Sequence, residues 1–180
     1  MDHQKLKVGF GSNIKFNKFR IYKKSCANII IKHMKKKIIG YSTGVFDLFH
    51  VGHLHILQKA KEHCDYLIVG VSSDELVVEY KNKLPIIPFK DRIKIISSLA
   101  CVDEVVMQID RDKMKQYKKI KFDILFVGDD WKGSEAFNKV EKELKAVNSK
   151  VKYFKYTKNI SSTKFTNLLQ DIYDTEKLIN

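Results

Sequence analysis

The run from Tyr66 to Val71 constrains the fold most, because none of its residues is charged and nearly all are apolar. Such a run is typical of a strand that is buried on both faces, as in a parallel sheet covered by helices. Further short apolar strands are predicted at 38–42, 102–107, 124–127 and 151–154. Apolar residues at helical spacing lie between them, at 52–63, 89–100, 111–119 and 134–147. The alternation predicts an α/β fold, a five-stranded parallel sheet with helices on both faces.

The net charge of +13 is concentrated at the N-terminus. Residues 1–37 contain eleven Lys and Arg and one acidic residue, a net charge of +10, which leaves +3 for residues 38–180. A basic arm can attract nucleic acid or anionic lipid, or it can be a solvated, poorly ordered extension. We interpret residues 1–36 as a basic extension of the second kind and residues 37–180 as the folded domain. Met34 is a second plausible start.

Three features indicate a cytoplasmic protein. No apolar run approaches the ~20 residues that a membrane-spanning helix needs, so no span is predicted. The N-terminus lacks the apolar segment and small-residue cleavage site of a secretory signal. Cys26, Cys64 and Cys101 are widely spaced and odd in number, which favours free thiols in a reducing compartment.

The residues directly after the first predicted strand are suited to binding an anion. Gly44 lets the backbone approach a phosphate closely, and the following helix start offers free N–H groups and a positive dipole end. His50 and His53 place two imidazoles beside that position. In the imidazolium form they can donate hydrogen bonds to phosphate oxygens as charge builds on a leaving group. This segment predicts a triphosphate site.

His50-Val51-Gly52-His53, preceded by Gly44-Val45-Phe46-Asp47, resembles the signature of the HxGH nucleotidylyltransferase superfamily. Within its cytidylyltransferase branch the chain is most similar to bacterial glycerol-3-phosphate cytidylyltransferases, over roughly residues 37–170. The resemblance implies a Rossmann-like fold, a homodimer, and Mg²⁺ as the cofactor. It also implies that residues 37–180 are the catalytic domain.

Two lysines and an arginine follow the second predicted strand. Residues 73–88 are predicted as a loop with one helical turn, and a flexible loop bearing Lys81 and Lys83 can close over a triphosphate. The resemblance implies that Lys83 contacts the transition state and that Arg92 faces a phosphate. The expected catalytic residues are therefore His50, His53, Lys83 and Arg92.

Gly128-Asp129-Asp130-Trp131 follows the fourth predicted strand, and similar segments mark glycerol-3-phosphate cytidylyltransferases. By resemblance, Asp129 lies near the base, where a carboxylate can accept from the exocyclic amine of cytosine. Trp131 would shape an acceptor pocket together with Lys81, or it packs as a lid on a helix. Asp47 is the nearest candidate for organising a metal ion or the histidines.

A last helix is predicted to begin at Ser161-Ser162-Thr163, where hydroxyls and free amides can bind phosphate oxygens. Thr157, Ile160, Ser161 and Thr163 match the family, whereas Tyr156 replaces its arginine. The resemblance thus places the nucleotide among Thr43, Gly44, Val45, Phe46, Asp47, His50, His53, Lys81, Lys83, Asp129, Tyr156, Thr157, Ile160, Ser161, Ser162 and Thr163.

The implied reaction joins CTP to a phosphorylated small alcohol, with glycerol 3-phosphate as the first candidate, and gives a CDP-alcohol and pyrophosphate. Two enzyme alternatives stay open: an adenylyltransferase, or a cytidylyltransferase for phosphocholine, phosphoethanolamine or a sugar phosphate. A third alternative is a nucleic-acid-binding module that uses residues 1–37, which the intact motifs argue against.

Overall fold

The computed structural model describes residues 36–155, 162 and 165–169. The strands are β1 (Ile39–Gly44), β2 (Tyr66–Ser72), β3 (Glu104–Gln108), β4 (Ile124–Gly128) and β5 (Lys150–Phe154). The helices are α1 (Val51–Lys61), α2 (Asp74–Lys81), α3 (Phe89–Ser97), α4 (Lys113–Ile120) and α5 (Glu135–Ala146). A single 3₁₀ turn, Asp129–Trp131, follows β4, and residues 165–169 are helical. The interpretation of residues 1–36 as a poorly ordered extension lies almost wholly outside the described residues.

All five strands are parallel and form one sheet in the order β3-β2-β1-β4-β5. The chain builds outward from β1 to β3 on one side and then crosses to β4 and β5 on the other. In an open sheet of this kind, ligands bind beyond the carboxyl ends of the strands where the order reverses. That point lies between β1 and β4, and it places Gly44 and Gly128 at the mouth of the site.

Each face of the sheet carries its own core, because successive side chains of a strand point to opposite faces. Leu67 and Val69 pack on the face covered by Leu57 of α1 and Ile96 of α3. Leu125 and Val127 pack on the other face, with Leu144 of α5 and with α4 partly buried against them. The predicted Rossmann-like sheet with helices on both faces is confirmed.

The predicted strand bounds agree with the structure within two residues. The segment 73–88 is different, because α2 occupies Asp74–Lys81 where mostly loop was expected. Ser73 caps this helix by accepting a hydrogen bond from the Leu76 amide, and Leu76 and Val77 bury its inner face. The sequence pattern does not indicate this helix, because its buried apolar face is only one turn long and polar residues and lysines surround it. Cys64 and Cys101 are free thiols, as expected.

Candidate active site

The backbone that follows β1 is held in an unusual conformation. Phe46 and Leu48 have φ values of 55° and 46°, in the left-handed region that side-chain-bearing residues seldom adopt. Strained positions of this kind persist only where surrounding contacts hold them, and they cluster at functional sites. Here the Val45 carbonyl accepts a hydrogen bond from the Arg92 guanidinium. The turn that leads to the histidines is therefore held by a side chain of another element, helix α3.

His50 and His53 form a stacked pair at the start of α1. Their ring centroids lie 4.0 Å apart, and the rings are tilted by 21°. His50 Nδ1 accepts a hydrogen bond from the Gly52 amide at 3.0 Å, and His53 Nδ1 accepts one from the His50 amide at 3.4 Å. Because both Nδ1 atoms act as acceptors, a neutral ring carries its proton on Nε2. Both imidazoles are thus set to donate from Nε2.

Burial lowers the pKa of His53 to about 4, with His50 as a second cause, and burial also lowers the pKa of His50. Both shifts favour the uncharged form of the rings at neutral pH, whereas the sequence led us to expect the imidazolium form. Neutral rings still present Nε2–H donors. No hydrogen-bond partner reaches the buried His50 Nε2 from the part of the chain that is described. An orphaned buried donor fits an incoming phosphate oxygen.

Two large cavities, lined by described residues, adjoin this turn at the carboxyl edge of the sheet. Cavity A has a volume of about 630 Å³ and cavity B about 660 Å³. Lys81 and Trp131 line both of them and so stand at their junction. The residues that line cavity A include Val45, Phe46, Asp47, His53, Lys81, Lys83, Trp131, Ser162 and Thr166.

Lys81 and Lys83 both line cavity A, but only Lys83 lies in a loop as predicted. Lys81 is the last residue of α2, and Asn82 ends the helix in the left-handed conformation with φ 50°. This turn directs the chain along cavity A, where Lys83 is exposed and lines the wall. Lys81 and Lys83 thus line the same cavity as Val45, Asp47 and His53 of the histidine turn, which is defined as residues 45–53.

Arg92 differs from its prediction, because its side chain is completely buried instead of facing a phosphate site. Its guanidinium donates to the carbonyl oxygens of Val45 and Ile87 and to the carboxylate of Asp74, the last at 2.6 Å. Because its donors are directed at protein oxygens, Arg92 holds the turn at Val45 and the segment between α2 and α3 at Ile87. A direct contact to pyrophosphate is incompatible with this geometry.

Asp47 was the candidate for organising a metal ion or the histidines. Its Oδ1 accepts from the amides of Leu48 and Ile87, and its Oδ2 accepts from the amide of Ile86. Over the described residues, no group of three or more His, Cys, Asp or Glu side chains is arranged to hold a metal ion. The Asp47 carboxylate already accepts three backbone amides.

The 3₁₀ turn after β4 places Asp129 and Trp131 at the mouth of the site. Both residues are exposed, and the Trp131 ring packs against Phe137 of α5 with centroids 5.2 Å apart. Trp131 therefore contacts a helix and also borders both cavities.

Ser162 is the only member of the predicted 156–163 segment among the described residues. Its hydroxyl donates to the Asp47 carbonyl at 2.8 Å, and it lines cavity A. The structure thus brings Ser162 to the histidine turn, although the two are far apart in sequence. The predictions for Tyr156, Thr157, Ile160, Ser161 and Thr163 lie outside the described residues.

Cavity B contains functional candidates that the sequence analysis missed. Arg111 and Lys113 line it, and they follow β3 almost directly. The rule that site residues follow strands could have identified them, but the lysine-rich pattern was interpreted as a helix surface. Burial, with the charge of Arg111 as a second cause, lowers the pKa of Lys113 to about 8. Arg111 lies over the Tyr80 ring, 4.4 Å from its centroid.

The floor of cavity B is a hydrogen-bonded set of polar side chains at the ends of β1, β2 and β3. The hydroxyls of Thr43 and Ser72 both donate to Gln108 Oε1, the latter at 3.1 Å. Gln108 Nε2 donates to the Asp110 carbonyl, which fixes the orientation of the amide. Thr43, predicted to contact the nucleotide, therefore also forms part of the floor of cavity B.

Residues 41–167 match the family model described as cytidylyltransferase-like, and the chain belongs to this family. An FAD synthase of Thermococcus sibiricus is 34% identical over 142 residues, which cover 78% of this chain and 96% of that protein. The bifunctional protein HldE of Helicobacter pylori is 42% identical over 106 residues, 58% of this chain. The match spans only 23% of HldE, about a quarter of its length.

Solved structures support the same fold. The lipopolysaccharide core biosynthesis protein of Thermoplasma volcanium superimposes with a TM-score of 0.57 and 32% identity, over 69% of this chain and all of that one. The pantoate-beta-alanine ligase of Francisella tularensis, with a TM-score of 0.53 and 18% identity, shares the fold. The chain thus belongs to the cytidylyltransferase-like family and has the Rossmann-like fold of these structures. None of the described helices is long and apolar enough to cross a membrane.

Proposed function

We propose that the protein transfers CMP from CTP to a phosphorylated small alcohol, with glycerol 3-phosphate as the first candidate, and releases pyrophosphate. One observation supports this most strongly: two stacked histidines with Nε2 donors stand at a helix start, beside a cavity lined by Lys81 and Lys83. Helix starts and cationic side chains are the groups that bind triphosphates.

The proposed reaction is a single displacement at the α-phosphorus. An oxygen of the acceptor phosphate forms the new bond, and the bond to the bridging oxygen of pyrophosphate breaks in line with it. His50 and His53 donate from Nε2 to the oxygens on which charge develops, and Lys83 neutralises the departing pyrophosphate. Binding both substrates side by side supplies much of the remaining acceleration.

Cavity B is the proposed place for the acceptor. Among the described residues that line it, three are cationic, namely Lys81, Arg111 and Lys113, and none is acidic. The acceptor phosphate would lie at the junction formed by Lys81 and Trp131, where it can reach the α-phosphorus held in cavity A. The hydroxyl groups of the acceptor would then face the polar floor formed by Thr43, Ser72 and Gln108.

Mg²⁺ and a homodimer remain part of the proposal. Magnesium binds oxygen ligands and commonly enters such sites on substrate phosphates, so it would accompany the triphosphate instead of occupying a protein cage. No step above depends on it.

Adenylyl transfer is the second candidate, because the relatives include proteins described as FAD synthase. The choice depends on how the base is recognised. A carboxylate at Asp129 can accept from the exocyclic amine of cytosine, and adenine carries a similar amine. Asp129 therefore supports a base that carries an amino group, and it does not distinguish cytosine from adenine.

A pyrophosphate-release assay tests the proposal. CTP, ATP, UTP and GTP would each be combined with glycerol 3-phosphate, phosphocholine, phosphoethanolamine and sugar phosphates. We expect turnover with CTP and a phosphorylated polyol. Turnover with ATP alone would replace the cytidylyl assignment by adenylyl transfer, and turnover with none of these pairs would contradict the proposed function.

A further inference from the structure

We propose that Asp47 is a positioning residue that fastens the lysine loop to the histidine turn. The lysine loop is defined as residues 82–88, between α2 and α3. The structural part of this inference stands on hydrogen bonds alone, and its catalytic part rests on the proposed function.

The lysine loop has little packing of its own. Residues 81–84 are all exposed, and Leu84 and Ile86 retain 66% and 46% of their accessible surface. A segment with few buried apolar contacts opens readily, so its position depends on specific bonds. The fixed placement of Lys83 beside cavity A must therefore come from polar contacts.

The sequence of the loop leaves few donors for such contacts. Pro85 and Pro88 are the only prolines of the chain, and neither has an N–H group. Ile86 and Ile87 lie between them, and both amides donate to Asp47, each at 2.9 Å. One carboxylate thus accepts every backbone donor that residues 85–88 possess. Hydrogen bonds to a charged acceptor are among the stronger ones in proteins.

Asp47 also joins a third segment to the same point. Its carbonyl accepts from the Ser162 hydroxyl at 2.8 Å. The left-handed residues on either side, Phe46 and Leu48, turn the backbone sharply at this position. Asp47 consequently connects the turn that carries the histidines, the loop that carries Lys83, and Ser162.

Trypsin cleavage after Lys83 measures the attachment directly and requires no activity. We expect Asp47→Asn to be cleaved about tenfold faster than the wild-type chain. The asparagine side chain has one oxygen, so it can accept only one of the two hydrogen bonds that Ile86 and Ile87 donate to separate oxygens of Asp47. Ile86→Pro removes one donor and leaves Asp47 intact, so it should accelerate cleavage similarly. The double variant should be cleaved no faster than about the faster single variant, because both changes act on the same attachment.

The control is Asp123→Asn, at the opposite edge of the sheet, where the carboxylate accepts the Ile39 amide at 2.9 Å. It should lower thermal stability while cleavage after Lys83 stays at the wild-type rate. Wild-type cleavage of Ile86→Pro would overturn the proposal even if Asp47→Asn failed to fold. Fully multiplicative effects in the double variant would also overturn it.

Activity separates this inference from the proposed function. Asp47→Asn and Ile86→Pro should each lose about tenfold or more in kcat/KM for the nucleotide. His53→Ala should lose turnover, while trypsin cleaves it after Lys83 at the wild-type rate. If no substrate pair gives turnover, the proposed function fails and the cleavage result still decides the role of Asp47. Fast cleavage combined with wild-type kcat/KM would contradict the catalytic part alone.

Discussion

At the scale of single residues, the histidine pair shows how local structure sets chemistry. The spacing of His50 and His53 predicted that both rings would lie at one helix start. Their protonation could not be predicted, because it depends on burial and on which ring nitrogen accepts a backbone amide. In the structure both Nδ1 atoms are acceptors, and the donors that remain are the two Nε2–H groups.

The depressed pKa of His53 predicts a pH dependence of stability. An unfolded histidine has a pKa near 6.5, and in the folded chain burial lowers that of His53 to about 4. Between these values the unfolded state binds more protons, so the stabilisation is complete above about pH 6.5 and is lost as the pH falls through 4. We expect a contribution of up to about 3 kcal/mol. Urea unfolding at pH 7 and pH 4.5 should show a smaller decrease for His53→Asn than for wild type, and equal decreases would contradict the assignment.

Arg92 was predicted to face a phosphate, and in the structure it supports the backbone around the site instead. Its buried guanidinium bonds to Asp74 and to two backbone carbonyls, so removing it leaves buried acceptors without a donor. We expect Arg92→Ala to lower the free energy of unfolding by about 3 kcal/mol in a urea titration. Lys94→Ala on the same helix is the control, since Lys94 is exposed and pairs with Asp91 at 3.9 Å. A loss of less than about 1 kcal/mol for Arg92→Ala would contradict the supporting role.

At the scale of elements, the carboxyl ends of the strands determine where the site lies. β1 and β4 flank the point of reversal, and the residues after them were found from sequence. The end of β3 was overlooked, because Arg111 and Lys113 merge into the basic pattern of α4. In the sheet, β3 ends at the same edge as β1 and β2 and brings these cations to cavity B.

Cavity B gives a prediction at this scale. Arg111→Ala and Lys113→Ala should each raise the KM for the acceptor about tenfold, because each removes a cation from the site proposed for the acceptor phosphate. The KM for the nucleotide should stay within about twofold. Lys118→Ala, an exposed lysine of α4, should change neither value. Steady-state pyrophosphate release decides the matter, and an unchanged acceptor KM for both variants would exclude cavity B as the acceptor site.

At the scale of the whole molecule, charge and fold are unevenly distributed along the chain. The family match begins at residue 41, whereas most of the excess positive charge lies before residue 38. We expect a variant that begins at Met34 to keep kcat and KM within about twofold of the full chain. If residues 1–33 bind nucleic acid instead, binding would fall steeply with salt and disappear in this variant. A large loss of turnover on shortening would contradict the proposed division of the chain.

Sequence predicted the sheet and the position of the histidine turn because both follow from local patterns. Apolar runs such as Tyr66–Val71 define strands, and the glycines and histidines after β1 define the turn. The parts that could not be predicted depend on contacts between distant segments: the attachment of Ile86 to Asp47, the inward turn of Arg92, and the meeting of Ser162 with the turn. Such contacts have no signature in spacing.

The most direct test of the central claim is the turnover of His53→Ala with the best substrate pair. If the histidine turn carries nucleotidyl transfer, kcat for pyrophosphate release should fall about a hundredfold or more, which corresponds to ~3 kcal/mol of transition-state stabilisation. Circular dichroism would establish that the variant is folded. Near-wild-type turnover by the folded variant would contradict the account.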